Sequence, residues 1–169
     1  MDENENQYNL RIASDDSYRL LCLDRKFIRP TNATSTIEVC DLISQNKEII
    51  HVKSKTSSSR LSHLFSQGII SAEVLAGDSL ARDMIREKIK LEENTTGQTG
   101  YRSIIPTSNE NFNPSDFTVV YAVISDSDDP CLPFFSLLSF KHAATRLNTL
   151  RYKYTFSWIK KQSTHKAKS

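Results

Sequence analysis

The stretch IEVCDLISQNKEIIHVKSKTSSSRLSHLFSQG, at residues 37–68, decides the fold. Its apolar and β-branched residues predict two strands, at 37–43 and 48–54, joined by a short polar hairpin. A serine-rich segment then leads into an amphipathic helix, which Gly68 is expected to end or bend. The apolar stripe of that helix has the three-to-four spacing of a buried face and consists of Leu61, Leu64, Phe65 and Ile69.

The rest of the chain supplies further strands and helices. Residues 1–16 predict a short helix or an edge segment, and an apolar run at 18–28 predicts a first strand that turns near Asp24. The almost continuous apolar run FTVVYAVIS, at 117–125, is typical of a strand in the middle of a sheet. The remaining predicted elements are a helix at 71–92 interrupted at Gly77 and Asp78, a helix capped by Ser139, and a strand at 152–160. This order predicts an α/β fold in which helices flank a mixed β-sheet.

The composition is typical of one soluble domain. A chain of 169 residues with 38% apolar residues can bury one core. We expect a single domain at 1–161, with a loop insertion at 93–115, and a basic, disordered tail at 162–169. The net charge of +2 is too small to indicate a nucleic-acid partner by itself.

The cysteines and the hydropathy pattern predict a cytoplasmic protein with no membrane association. Three cysteines without a CxxC pair are expected to be reduced thiols. No run approaches the roughly 20 apolar residues of a membrane span. The sequence also has no Gly-rich phosphate loop, GxSxG elbow, HExxH motif or zinc-spaced cysteine and histidine cluster, which argues against those enzyme classes.

The hairpin brings an acid, a histidine and a lysine towards one surface. His51 and Lys53 share a face of the second strand, and Asp41 joins them if the hairpin loop has an odd number of residues. Asp41 and His51 are then candidate metal ligands, and Lys53 is a candidate to position an attacking water. The competing interpretation is a solvated cross-strand ion pair between Asp41 and Lys53, worth less than about 1 kcal/mol.

This arrangement resembles the restriction-endonuclease-like PD-(D/E)XK superfamily, whose pattern is an Asp, a hairpin, and (Asp/Glu)-x-Lys on the following strand. Asp41 matches the first acid and Lys53 the lysine, whereas His51 stands at the position of the second acid. The resemblance implies a restriction-endonuclease-like core and a catalytic site of Asp41, His51 and Lys53 that uses Mg²⁺ or Mn²⁺. Because Mg²⁺ prefers oxygen ligands, His51 implies a weakened, altered or lost nuclease site.

A closer resemblance covers most of the chain, from residue 9 to about residue 159. The strings IEVCDLI, IIHVK, SSSRLSHLFSQG, FTVVYAVIS and LPFFS are similar to the C-terminal part of a "sporadically distributed" uncharacterised bacterial family. That family is similar to proteins found among mobile-element and phage-defence genes. Its members are several times longer, so the resemblance implies that this chain lacks their N-terminal portion. It implies a fold and a genetic context, and it leaves the activity open.

The serine-rich helix start is the candidate contact with nucleic acid. Backbone N–H groups, hydroxyls and the helix dipole attract phosphate at such a position, and cations flank this one. Simple N-capping by one serine is an equally weighted alternative. His63 and Gln67, one turn apart, either support the site or are simply exposed. The predicted nucleic-acid-binding residues are Lys55, Ser57, Ser58, Ser59, Arg60, His63 and Gln67.

Two functions from different classes fit these patterns. The first is a nucleic-acid-binding, nuclease-derived module of a bacterial defence or mobile-element system, with DNA or RNA as its partner. If its site is intact, it is a metal-dependent nuclease. The second is a non-catalytic protein-interaction domain that binds a partner protein or forms a homodimer. Only the first predicts nucleic-acid binding with a steep dependence on salt.

Overall fold

The computed structural model describes residues 3–55 and 57–161, and its centre is a mixed β-sheet. The strands are β1 (Leu20–Cys22), β2 (Phe27–Ile28), β3 (Ile37–Glu38), β4 (Leu42–Ser44), β5 (Glu48–Ser54), β6 (Thr118–Ser125) and β7 (Lys153–Lys160). Five of them form one sheet in the order β1–β4–β5–β6–β7. The pairs β1–β4 and β4–β5 are antiparallel, whereas β5–β6 and β6–β7 are parallel. The strands β2 and β3 form a separate antiparallel ribbon.

Helices cover both faces of the sheet, as the sequence predicts. They are α1 (Glu5–Ala13), α2 (Ser58–Gly77), α3 (Ser79–Thr96) and α4 (Phe134–Thr149). On β6, Val119 and Tyr121 enter the large apolar cluster that contains residues of α2, α3 and α4. Ala122 and Ile124 enter a smaller cluster with residues of α1. Since neighbouring side chains of a strand point to opposite faces, α1 covers one face and the other helices the opposite one.

The central strand is the run that the sequence assigns to the middle of the sheet. The strand β6 lies between β5 and β7, and most of its residues are buried. Its hydrophobic character therefore reflects burial on two faces, as is usual for strands with parallel neighbours.

The predicted strand at 37–43 is interrupted in the structure. Ile37 and Glu38 pair with β2, whereas Leu42 to Ser44 pair with β1 and β5. The intervening residues 39–41 belong to neither ladder. The chain thus passes from the ribbon to the main sheet at this point, which the continuous apolar pattern does not reveal.

The helix α2 continues through Gly68 and is longer than the sequence predicts. Gly68 is buried under Tyr121, so that a Cβ atom added to it would lie 2.3 Å from the Tyr121 hydroxyl oxygen. Its glycine therefore permits a close approach of strand and helix. The real boundary lies at Asp78, in the interruption that the sequence predicts, and the Asp78 side chain accepts the Ala81 N–H that begins α3.

The helix α4 begins at Phe134, and the prediction of a start at Ser139 is wrong. Pro133 occupies the N-cap position, where its fixed φ suits the entry to a helix. The Ser139 hydroxyl instead donates to the Phe135 carbonyl and lies 2.9 Å from the Ser62 hydroxyl of α2. Its position within the helix serves contact between helices.

The predicted loop at 93–115 begins with the last turn of α3, which ends at Thr96. The segment that follows is anchored to α3 by polar side chains. The Glu93 carboxylate accepts the Tyr101 N–H at 2.7 Å, and the Arg86 guanidinium donates to the Arg102 carbonyl at 2.8 Å. These contacts tie an irregular segment to a regular one and give its backbone groups partners.

No helix among the described residues is long and apolar enough to cross a membrane. The predicted basic tail at 162–169 lies outside the residues that the structure describes.

Candidate functional site

Three carboxylates meet where the ribbon joins the main sheet. Asp24 lies in the turn between β1 and β2, Glu38 ends β3, and Asp41 immediately precedes β4. One carboxylate oxygen from each of the three lies within 4.8 Å of the others. We call these three residues the acidic junction. The interruption between β3 and β4 permits this arrangement, because it lets the chain turn between two acids that are three residues apart.

Asp41 is the most perturbed member of the acidic junction. Burial raises the pKa of its carboxyl group to about 7, and the charges of Glu38 and Asp24 act in the same direction. The Val52 N–H donates to Asp41 Oδ2 at 2.7 Å, and this hydrogen bond and the Lys53 ammonium oppose the rise. Such a carboxylate is held in place by backbone, yet its charge is poorly compensated.

Glu38 experiences the same crowding of negative charge. Burial raises the pKa of its carboxyl group, the Arg25 backbone N–H lowers it, and the neighbouring Asp24 raises it again. Arg25 has a positive φ of 62°, which lets its N–H point at the Glu38 carboxylate. The turn after β1 thus contributes one acid to the junction and a hydrogen bond to another.

The helix α1 covers the junction with polar side chains. Asn6 donates from Nδ2 to Asp24 Oδ2 at 2.8 Å, and Asn9 does so at 3.4 Å. The Glu5 carboxylate accepts from Lys53 Nζ at 2.8 Å and from the Ser54 N–H at 3.1 Å. Lys53 is therefore held beside the junction by an acid of α1.

Asn9 leaves one polar atom without a partner next to Asp24. The residue is only 1% exposed, and its Oδ1 atom is buried without a hydrogen bond. Buried polar atoms are nearly always satisfied, so Asn9 has an unsatisfied acceptor on the amide whose Nδ2 contacts Asp24. The observation is independent of the clustering of the acids.

His51 is placed in the core. Its side chain is 2% exposed, and its ring stacks on Tyr121 with centroids 6.2 Å apart. Burial lowers the pKa of His51 to about 4, so the ring is neutral at physiological pH. Its ring nitrogens are not among the ligand atoms that converge at the acidic junction. The hairpin loop does have three residues, 45–47, and so meets the odd-number condition for Asp41 and His51 to share a face. Backbone parity alone did not bring the two side chains to one point.

The serines at the start of α2 are engaged with one another and with α4. Ser57 caps the helix by accepting the Arg60 N–H at 3.4 Å, and its hydroxyl lies 3.1 Å from that of Ser59. The Ser58 hydroxyl lies 2.9 Å from that of Ser136. This geometry gives each hydroxyl a partner within the protein, and a role in phosphate binding stays a prediction.

The other predicted nucleic-acid contacts are spread over a wider surface. The Lys55 ammonium lies over the Trp158 ring at 5.4 Å from the centroid. Arg60 and His63 are exposed and Gln67 is half-buried, all on α2. Of the predicted site residues, the structure thus brings Asp41 and Lys53 close to one another and places the rest elsewhere.

Sequence reasoning missed Asp24 and Glu38. They lie 17 and 3 residues before Asp41: Asp24 is outside the predicted hairpin, and Glu38 lies in its first predicted strand but is not a predicted ligand. The available signal was the turn at Asp24 and Arg25, since an acid in a turn between two edge segments can reach a neighbouring strand. Locating Glu38 required knowing that the strand at 37–43 is interrupted.

Comparison with known proteins assigns this chain to a family. The model of DUF6119, a family of unknown function, matches residues 2–160. The chain belongs to the DUF6119 family. No curated protein and no solved structure matches it. The resemblances to PD-(D/E)XK enzymes and to the "sporadically distributed" proteins therefore stay predictions for this DUF6119 chain.

The acidic junction of this DUF6119 chain fits a divalent cation in its donor set. Three carboxylates are hard oxygen donors, which Mg²⁺ and Mn²⁺ prefer. A bound cation would also compensate the charge that raises the pKa of Asp41.

Proposed function

We propose that this protein is a nucleic-acid-binding module derived from a metal-dependent nuclease, with Mg²⁺ or Mn²⁺ at the acidic junction. The observation that carries the proposal is the convergence of Asp24, Glu38 and Asp41 beside Lys53. The order of elements, α1 and then an antiparallel meander β1–β4–β5 followed by the parallel strand β6, supports a restriction-endonuclease-like core. A bacterial defence or mobile-element context belongs to the same proposal.

The proposed ligand set differs from the one that the hairpin motif implies. Asp41 remains a ligand. His51 is not a ligand, because its ring is buried against Tyr121, and the carboxylate oxygens of Glu38 and Asp24 complete the set instead. A divalent cation in such a site supplies Lewis-acid activation of a phosphodiester and lowers the pKa of a bound water.

Lys53 has the proposed role of stabilising negative charge at the scissile phosphate. Its ammonium lies 2.8 Å from Glu5 Oε2, and the charge of Lys53 lowers the pKa of Asp41 and Glu38. An ammonium whose charge acts on Asp41 and Glu38 is placed to act also on the charge of a phosphate that a cation holds at the junction. Glu5 holds the lysine side chain in place.

Cation binding is tested first, because every other part of the proposal depends on it. The protein is stripped with chelator, and its thermal unfolding is followed as Mn²⁺ or Mg²⁺ is added. A ligand at about 100 times its Kd stabilises the folded state by about 2.7 kcal/mol, so a clear rise in Tm is expected. Asp41→Asn and Glu38→Gln should abolish the rise.

The matched control is Asp126→Asn, an exposed acid in the turn after β6 that is not one of the three clustered carboxylates. It should leave the rise in Tm unchanged. An equal rise in Asp41→Asn, or no rise in the unmodified protein, would show that the acidic junction is not a cation site.

Nucleic-acid binding and cleavage are tested on the same variants. Labelled single-stranded and double-stranded DNA and RNA are incubated with the protein and Mn²⁺, and binding is measured at several salt concentrations. Binding should weaken steeply with salt. Lys53→Met should lower any cleavage rate while preserving the rise in Tm with Mn²⁺, because the lysine is not a ligand. If the protein binds none of the four substrates at low salt, the nucleic-acid part of the proposal is wrong.

A further inference from the structure

The first turn of α4 exposes four large apolar side chains side by side. Phe134 and Phe135 are 67% and 71% exposed, and Leu137 and Leu138 are 51% and 48% exposed. The two aromatic rings pack edge to face, with centroids 5.5 Å apart. We call these four residues the α4 patch. Because the two aromatic rings pack against each other, their side chains lose little conformational entropy when a partner buries them.

The opposite side of the same helix is fully engaged. Ala143 and Leu147 are completely buried in the large apolar cluster, and Ser136 is within hydrogen-bonding distance of Ser58. The contact between Ser139 and Ser62 is a second polar link to α2. The inner side of α4 is therefore packed against the core and α2, and the apolar side chains of the patch lie on the surface of the folded protein.

The charges before the patch argue against a nucleic acid as its partner. Exposed aromatic rings can stack on bases, but base-stacking surfaces are flanked by cations. The turn that enters α4 carries Asp126, Asp128 and Asp129, all exposed. Lys160 pairs with Asp128 at 2.6 Å, and the remaining negative charge of Asp126 and Asp129 would repel phosphate, so a protein surface is the better match.

The charge pattern along α4 specifies which protein surface. The acidic turn precedes the patch, and two exposed bases follow it: Lys141, and Arg146, whose guanidinium is already paired with Glu73 of α2. When two such helices lie antiparallel about a two-fold axis at Leu137 and Leu138, the acidic end of each faces the basic end of the other. This arrangement is self-complementary, as the interface of a two-fold dimer must be.

The size of the patch matches the same partner. Its four side chains expose roughly 450 Å² of apolar surface, given the areas typical of large side chains. A standard interface buries about 800 Å² on each partner, of which somewhat more than half is apolar. The patch thus supplies the apolar centre of one side of an ordinary dimer interface.

We propose that the α4 patch is the homodimer interface of this protein, with the two α4 helices antiparallel across a two-fold axis. Lys141 of one copy then lies opposite Phe134 of the other, since both are equally distant from the axis. An ammonium over an aromatic face adds a favourable contact at that position.

The test is the molar mass in solution from sedimentation equilibrium, over about 1 to 200 μM protein. All samples contain a reductant, and Cys131 is changed to Ser. Its exposed thiol, close to the patch, would otherwise form a disulfide-linked dimer. A dimer is expected for the Cys131→Ser protein. Phe135→Asp and Leu138→Asp should each convert the protein to a monomer. The Tm of each variant should equal that of the Cys131→Ser protein diluted until it is monomeric.

Two further variants separate this interface from other self-association. Leu91→Asp replaces a side chain on α3 that is 60% exposed, and it should leave the dimer intact. Lys141→Glu should weaken the dimer about fivefold, the effect of losing the contact of its ammonium with the Phe134 ring of the other copy, whereas Lys141→Arg should retain the dimer. A monomer at every concentration would overturn the proposal, as would a dimer that survives Phe135→Asp and Leu138→Asp. Binding of the monomer to lipid vesicles through the patch would also overturn it.

Discussion

At the scale of single residues, the contact between Gly68 and Tyr121 locks the main helix to the central strand. The Tyr121 hydroxyl donates to the Phe65 carbonyl at 3.1 Å, and the ring of Tyr121 packs edge to face on Phe65. This contact requires that α2 present no side chain at Gly68. The ring of Tyr121 also stacks on His51, so that this one tyrosine of β6 contacts both α2 and β5.

Gly68→Ala should therefore destabilise the protein strongly. The added Cβ would meet the hydroxyl oxygen, Cε1 and Cζ of Tyr121 at 2.3 to 2.6 Å, all on a buried ring with little freedom to move. Overpacking of this kind costs about 3 kcal/mol. Urea denaturation measures it, with Gly77→Ala as control. Gly77 lies at the end of the same helix with nothing within 4 Å of its added Cβ, so that change should be neutral or mildly stabilising.

At the scale of elements, the sequence predicts which segments form strands and helices better than it predicts where they end. The central strand and the break at Gly77 and Asp78 follow from local patterns of hydrophobicity and helix breakers. The interruption at residues 39–41 does not, because Val39 and Cys40 are buried and keep the apolar pattern continuous. The strands β3 and β4 are separate because they pair with different strands: β3 with β2, and β4 with β1 and β5.

The candidate site depends on that same long-range choice. Asp41 and Lys53 could be proposed from the hairpin, because a short hairpin fixes which residues face one another. Asp24 reaches Asp41 only because β1 pairs with β4, and Glu38 only because β3 pairs with β2. Such contacts have no local signature. The exclusion of His51 likewise follows from its packing on Tyr121, which strand parity cannot report.

Asp78 joins three elements and offers a test at this scale. Its carboxylate accepts the Ala81 N–H at 2.9 Å and both the N–H and the hydroxyl of Thr31, at 2.7 and 2.8 Å. Asp78→Ala removes a helix cap and a tie to the loop after β2, so a loss of about 2 kcal/mol is expected in thermal or urea unfolding. Thr31→Ala removes only the hydroxyl contact and should lose less than half as much. Equal losses would mean that the cap contributes little.

At the scale of the whole molecule, the half-buried Asp41 and the buried His51 give opposite responses to pH. Asp41 has a pKa raised from 3.8 to about 7, so above pH 4 the folded protein holds a proton that the unfolded chain has released. The free energy of unfolding therefore falls as pH rises through this range. His51 has a pKa lowered from 6.5 to about 4, so below pH 6.5 the unfolded chain binds a proton that the folded protein does not. For His51 the free energy of unfolding falls as pH falls.

Between about pH 4.5 and pH 6 these two slopes oppose each other, so we expect the stability of the unmodified protein to depend less on pH than that of either single variant. Each single variant should expose the slope of the remaining group. In Asp41→Asn, whose amide oxygen can still accept the Val52 N–H, the free energy of unfolding should rise by about 1.4 kcal/mol per pH unit. In His51→Phe it should fall by at least a similar amount, because the pKa of Glu38 is raised as well. The double variant should lose the slopes of both Asp41 and His51. Urea denaturation in the presence of EDTA measures all four proteins, since a cation at the acidic junction would ionise Asp41 and hide its slope. If both single variants stay flat, the two side chains are not buried as the structure places them, and the cation site would lose its most perturbed ligand.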